Sequence, residues 1–276
     1  MIETLKHPGP APARRHAVAP CRAERIEVTL PVAETLAQSA ALALADYDGG
    51  WLEIADSTLD NLDFVIPGED ASGAHAAWYA GPYHMGAGRI THLGMHVGRR
   101  DGAPWLHGHG GFAAPGWQGP DFGHILPLES RLAHPVRARG WGLRGAQLQV
   151  SADAETHFPL FQPVATGAGG KAALVTLRPN QDFLAGLEAA AAEAGIANGS
   201  VHGLGSIVRP RLEGQPRLPS HATELLLTQG VIANGRARVE IEVVTLQATR
   251  HRGWLQRGEN GVCITAELLV VGAEVG

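Results

Sequence analysis

The chain has 276 residues, 45% of them hydrophobic and 18% charged, with a formal net charge of −5. That composition is globular, not disordered, and is long enough for two compact units. The net charge gives no general attraction to nucleic acid or to an anionic membrane, and two cysteines, Cys21 and Cys263, are too few for a disulfide framework or a zinc ribbon.

Residues 1–24 carry Pro8, Pro10, Pro12 and Pro20 among Arg14, Arg15 and Arg22. They contain no continuous apolar run of about 7–15 residues, so they read as a flexible arm and not a secretory signal. Elsewhere charge or glycine interrupts every apolar stretch before the ~20 residues of a membrane span. A cytoplasmic protein without a membrane partner is the expectation.

The strand Ile26-Glu-Val-Thr-Leu-Pro31 comes next, followed by an alanine-rich run from Glu34 to Asp46. Leu36, Ala40, Ala43 and Leu44 in that run fall at helical spacing, and Gly49-Gly50 lie beyond its end. Further strands are expected at Trp51–Ser57, Arg89–Val97, Trp105–Phe112, His124–Leu128 and Ala133–Val150. Val164–Gly170, small residues ending in two glycines, reads as a linker.

The order then repeats. Leu174-Val-Thr-Leu-Arg-Pro179 answers the first strand, and Gln181–Gly195 answers the first helix, with Asn180 as its expected N-cap. Strands at Ser200–Ser206, Glu224–Ile232, Arg238–Thr249 and Val262–Val271 follow. The predicted fold is therefore α+β: two similar units, residues 25–163 and 171–276, each one long helix packed on a largely antiparallel sheet.

The chemistry concentrates in the first unit. If Trp105–Phe112 is a strand, alternation puts His107 and His109 on one face, and a neighbouring strand can bring His124 to the same point. Three neutral imidazoles without a fourth protein ligand leave an open coordination position, as in catalytic zinc sites. A divalent ion, with zinc as the first choice, is the expected cofactor. His92, His96 and Glu129 are candidates for orienting a ligand imidazole from behind. Trp105, Trp117 and Tyr79 could wall a pocket, and Arg99, Arg100 or Arg131 could neutralise a ligand carboxylate. Residues 25–160 carry a net charge of −7, which suits a cation. The second unit, with ten acids against ten bases, gathers Arg209, Arg211, Arg217, Arg236, Arg238, Arg250 and Arg252, a candidate anion surface. A cupin would share the His-x-His pair, but no carboxylate follows His109 until Asp121, and the alanine-rich runs are foreign to a double-stranded β-helix.

The order strand, helix, small-residue turn, strands, His-x-His and Gly-His-Ile resembles the plants-and-prokaryotes-conserved (PPC) domain, in tandem. The first half carries the resemblance through His107-Gly-His109 and Gly123-His-Ile125. The second carries it through Arg178-Pro179, Ala194-Gly-Ile196 and Gly203-Leu-Gly-Ser206. The resemblance implies compact α+β units that assemble as trimers, with a metal on the three histidines in prokaryotic members. It also implies a candidate DNA-binding role, although no Arg-Gly-Arg-Pro hook is present. Aligned strands put Glu240 and Glu242 where the first half has its His-x-His pair, and Trp254 where it has His124. Three function classes follow: a metal-bearing protein that binds or acts on a small oxygen-rich molecule, a DNA-binding regulator with a structural metal, or an oligomer-forming module without catalysis. No motif names a reaction.

Overall fold

In a computed structural model, which describes residues 1–273, the chain is nearly all sheet. Strand accounts for 57% of it and helix for 7%. This overturns the α+β expectation of two units built on long helices. The last three residues of the expected 171–276 unit lie outside the described residues.

The elements in chain order begin with β1 (His16–Leu30), α1 (Leu36–Ala43), β2 (Gly49–Gly68), β3 (Trp78–Arg100), β4 (Ala103–Ala113) and β5 (Phe122–Ile125). There follow β6 (Arg131–Leu132), β7 (Val136–Arg144), β8 (Ala146–Ala152), β9 (Pro159–Ala165) and β10 (Ala172–Leu177). The remainder is α2 (Phe183–Glu193), β11 (Gly199–Val208), β12 (Thr223–Ala233), β13 (Arg236–Thr245), β14 (Arg250–Trp254) and β15 (Gly261–Gly272).

The alanine-rich runs do form helices, but short ones of 8 and 11 residues. Thr35 caps the first through its side chain, which accepts from Gln38 N, and Tyr47-Asp-Gly-Gly50 turns the chain away. Asp182, not Asn180, caps the second by accepting from Ala185 N; Asn180 sits at φ +59° and binds the backbone of Leu5 instead. Gly195, at φ +72°, ends α2 in the left-handed conformation that glycine adopts without steric cost. Phe183 and Leu187 of α2 are buried on the sheet, each contributing on the order of 1.5–3 kcal/mol.

The strands run longer than periodicity suggested. β2 and β3 span 20 and 23 residues and pair along most of that length, absorbing the glycine- and proline-bearing stretch 79–88. Register shifts at Leu59/Leu62 and Phe64/Ile66 bend the ribbon and do not end it. A bend of that kind looks like a turn in one dimension, which is why the chain reads as more broken than it is.

All fifteen strands join one mixed sheet, ordered β14-β13-β12-β11-β15-β10-β1-β7-β2-β5-β4-β3-β8-β9, with β6 on β2 and a further β2–β3 pairing. The pairing path β1-β7-β2-β3-β4-β5 recurs as β10-β15-β11-β12-β13-β14. Two large apolar clusters form the core. One centres on Trp51, Phe64, Phe112 and Phe122, and the other on Phe183, Leu187, Ile241 and Leu268.

The stretch read as a flexible arm is built into this sheet. His16–Cys21 pair with β10, and Arg22–Leu30 with β7, so β1 belongs to both runs of strands. Before it, Leu5 is held by Asn180, Gly9 N donates to Glu155 O, and Arg15 grips the Glu155 carboxylate with two hydrogen bonds of 2.9 and 2.8 Å. The prolines set extended backbone here, and ion pairs hold it down.

Candidate metal centre

His107 and His109 lie two apart on β4 and so share a face. His124 on β5 is directly opposite His109 across the β4–β5 pairing. Glycine makes the approach of strands possible: a Cβ on Gly110 would lie 2.2 Å from the His92 carbonyl oxygen. The three rings converge, with centroids 4.8 Å apart for His107 and His109, 4.6 Å for His107 and His124, and 5.3 Å for His109 and His124. One nitrogen from each ring falls within 4.8 Å of the other two.

Hydrogen bonds from the far half fix how two of the rings face. His107 Nδ1 is hydrogen-bonded to the Glu267 carboxyl group at 2.7 Å, and His109 Nδ1 donates to the Leu225 carbonyl at 2.7 Å. With each Nδ1 engaged from behind, the Nε2 atoms of both rings are the ones that face the site. These two Nε2 atoms stand 3.0 Å apart. A cation between or beside them is a partner that both nitrogens can take.

Burial, and then the charge of the neighbouring rings, hold His107 and His124 well below the usual imidazole pKa, so both are neutral near pH 7. His124 Nδ1 is buried without a hydrogen-bond partner among the described residues. Neutral imidazoles with free nitrogens aimed at one point are the donor set a divalent transition metal takes.

Two carboxylates complete the surroundings. Burial pushes Glu267 up to about 7, opposed by His96 and His109. Glu224 Oε2 lies 3.0 Å from His109 Nε2. Tyr79 stands edge-on to His124, its ring centroid 5.4 Å away, and its phenol is raised well above the ordinary value by burial and by the two glutamates. The site opens into a cavity of about 260 Å³ lined by both halves of the chain.

The other candidates fall in different places. His96 is fully buried and donates from Nε2 to the backbone oxygen of Glu267, so it touches the residue that orients His107. His92 pairs instead with Glu242, at 2.6 Å. Glu129 is exposed, and its backbone oxygen accepts from Asn61. Trp105 and Tyr79 line the cavity, whereas Trp117 packs near Phe64. Arg99 donates to Gly102 O and Arg131 faces Asp60, while Arg100 reaches the cavity. Cys21 and Cys263 are buried free thiols.

Glu224, Glu267 and the Leu225 carbonyl were missed by sequence reasoning. Their one signal was a lone acid inside an apolar run, Thr223-Glu-Leu-Leu-Leu227 and Ala266-Glu-Leu-Leu-Val270. A carboxylate in such a run is seldom buried without a partner.

In the second half, Glu240 stands directly opposite Trp254 across β13–β14. Glu240 pairs with Arg252 at 2.7 Å, and Glu242 with His92 and Arg250. Of the seven arginines that suggested an anion surface, Arg209, Arg217, Arg236, Arg238, Arg250 and Arg252 all face carboxylates. Among the described residues, no helix is long and apolar enough to cross a membrane.

No family model and no curated protein matches the chain. Several solved structures do. The metal-containing protein AF0104 of Archaeoglobus fulgidus is 18% identical, with a TM-score of 0.38 over 50% of this chain and 93% of that one. A plant- and prokaryote-conserved (PPC) protein of Pyrococcus horikoshii is 14% identical, with a TM-score of 0.36 over 51% of this chain and 95% of its own. A candidate DNA-binding protein of Bacteroides thetaiotaomicron is 20% identical, with a TM-score of 0.32 over 39% of this chain and 81% of its own. The solved structures similar to this chain thus include members of the family its motifs resemble.

Proposed function

We propose that His107, His109 and His124 hold one divalent metal ion, zinc being the expected one, and that its open position serves a small oxygen-bearing molecule in the adjoining cavity. The observation that carries this reading is the convergence of three imidazoles, with the Nε2 atoms of His107 and His109 3.0 Å apart and each of those rings held by a hydrogen bond at its opposite nitrogen. A bound divalent ion would polarise an oxygen placed on it or lower the pKa of its water.

The residues around it have separate tasks. Glu267 and the Leu225 carbonyl hold the rings of His107 and His109 from behind. His96 anchors the Glu267 main chain, and Tyr79 covers one side of His124. Glu224 lies beside His109, within reach of the space the rings enclose.

Elemental analysis of untagged protein tests the reading. About one equivalent of metal per chain is expected. The His107→Ala/His109→Ala double variant should lose it and keep its circular dichroism spectrum. Protein that takes up no stoichiometric metal after refolding or dialysis against zinc, cobalt or manganese would sink the proposal.

A further inference from the structure

The cavity beside the three histidines is polar at one end and apolar along its walls. Trp78, Tyr79, Trp105, Phe158 and Phe161 supply aromatic surface. The Trp78 and Phe158 rings lie 5.0 Å apart at 32°, and Tyr79 meets Phe158 at 88°. At the inner end stand His107, His124, Glu224 and Glu267. One cation borders the cavity: Arg100, whose guanidinium lies 4.9 Å from the centre of the Trp105 ring. Its nearest carboxylate, Asp101, is 4.0 Å away and 95% exposed, so that pair is weak.

Charge sorts what can bind here. The inner end already holds the Glu224 and Glu267 carboxyl groups, which offset the charge that a divalent ion on the histidines would bring. An anionic group is disfavoured there and favoured at Arg100. A neutral hydroxyl or carbonyl oxygen is what the inner end accepts. Trp105 and His107 are two residues apart on β4, roughly 7 Å along the strand. The cation and the polar end are therefore separated by about the length of one substituted ring. A volume of about 260 Å³ is smaller than the pockets of drug-sized ligands and suits roughly a dozen non-hydrogen atoms.

The geometry points to a flat, mostly apolar carboxylic acid as the occupant. Its ring lies among Trp78, Trp105 and Phe158, its carboxylate at Arg100, and a hydroxyl or carbonyl oxygen toward His107 and His124. The seat of that oxygen rests on the metal reading above; the seat of the carboxylate does not.

Isothermal titration calorimetry on the full chain tests this with 3-(4-hydroxyphenyl)propanoate and its neutral primary amide, each with and without zinc loaded. The acid should bind at least about tenfold more tightly than the amide. Arg100→Gln should bring the acid down to the amide's level, while Arg131→Gln, at a residue facing Asp60, leaves the difference intact. Equal binding of acid and amide, or a difference that survives Arg100→Gln, overturns the proposal. So does the absence of acid binding below about 5 mM in protein that carries its equivalent of zinc, an outcome that leaves the metal reading standing. Acid binding that depends on Arg100 in protein unable to take up metal supports this occupant and overturns the metal reading instead.

Discussion

Across β4–β5, His109 faces His124; at the matching place in the pairing path, across β13–β14, Glu240 faces Trp254. The two places are built alike and filled oppositely. In the first, the His124 ring has a buried nitrogen without a partner among the described residues, and the groups that hold His107 and His109 come from the other half of the chain. In the second, Arg250, Arg252 and His92 answer the carboxylates, and Arg238 lies over Trp254 with its guanidinium 4.5 Å from the ring centre. A polar cluster that satisfies itself has nothing left for a ligand. The unsatisfied one is the better candidate for chemistry, and the contrast lies in side chains on a shared strand order.

The sharpest way to break that contrast is to remove a support without touching a ligand. Glu267→Gln should lower metal affinity by about 10- to 100-fold and preserve the fold, because an outer hydrogen bond to a ligand imidazole has that weight. Competition with a chromophoric chelator reads it, and unchanged affinity would show that Glu267 does not act through His107. On the other side, Arg250→Ala leaves the buried Glu242 with His92 alone. A loss of about 2 kcal/mol is expected, discounted because Arg250 is 30% exposed, and urea denaturation measures it.

A smaller effect comes from His96. Burial lowers it to about 4, against an unfolded value near 6.5. Below pH 6.5 the unfolded chain takes up a proton that the folded chain refuses, so stability falls as pH falls from 6.5 toward 4. Between pH 6.5 and 5.5 the loss is about 1 kcal/mol. His96→Gln should remove that share from the metal-free protein's stability profile, read as the difference between the two profiles, while Glu267, raised to about 7, contributes with the opposite sign in both proteins. The smallest expected effect is on DNA. With six of those seven second-half arginines paired and a net charge of −5, the protein should show no salt-dependent binding to random duplex at about 50 mM salt. Tight binding with a steep salt slope would reopen that reading.

How much of this was legible depended on the distance over which each feature is encoded. His107 and His109 were visible because strand alternation is local, and His124 because a second apolar run had to pair nearby. The helices were placed correctly but overextended: Glu34–Asp46 was expected where Leu36–Ala43 forms, because alanine content does not mark where packing ends. The fold class failed because three glycines and Pro82 between 79 and 88 sit in a bent strand, and a bend between two paired strands leaves no periodic trace. Glu224 and Glu267 were out of reach for a different reason. They lie a hundred residues or more from the histidines, and only the assembled sheet brings them together.

The double pairing of β1 has a further consequence. A single strand stitches both runs of the sheet, and the histidines borrow acceptors from across that seam. The chain is thereby its own partner, at an effective concentration set by covalent connection and not by the amount of protein in solution. Dilution that would dismantle a pocket formed between separate molecules leaves this one whole.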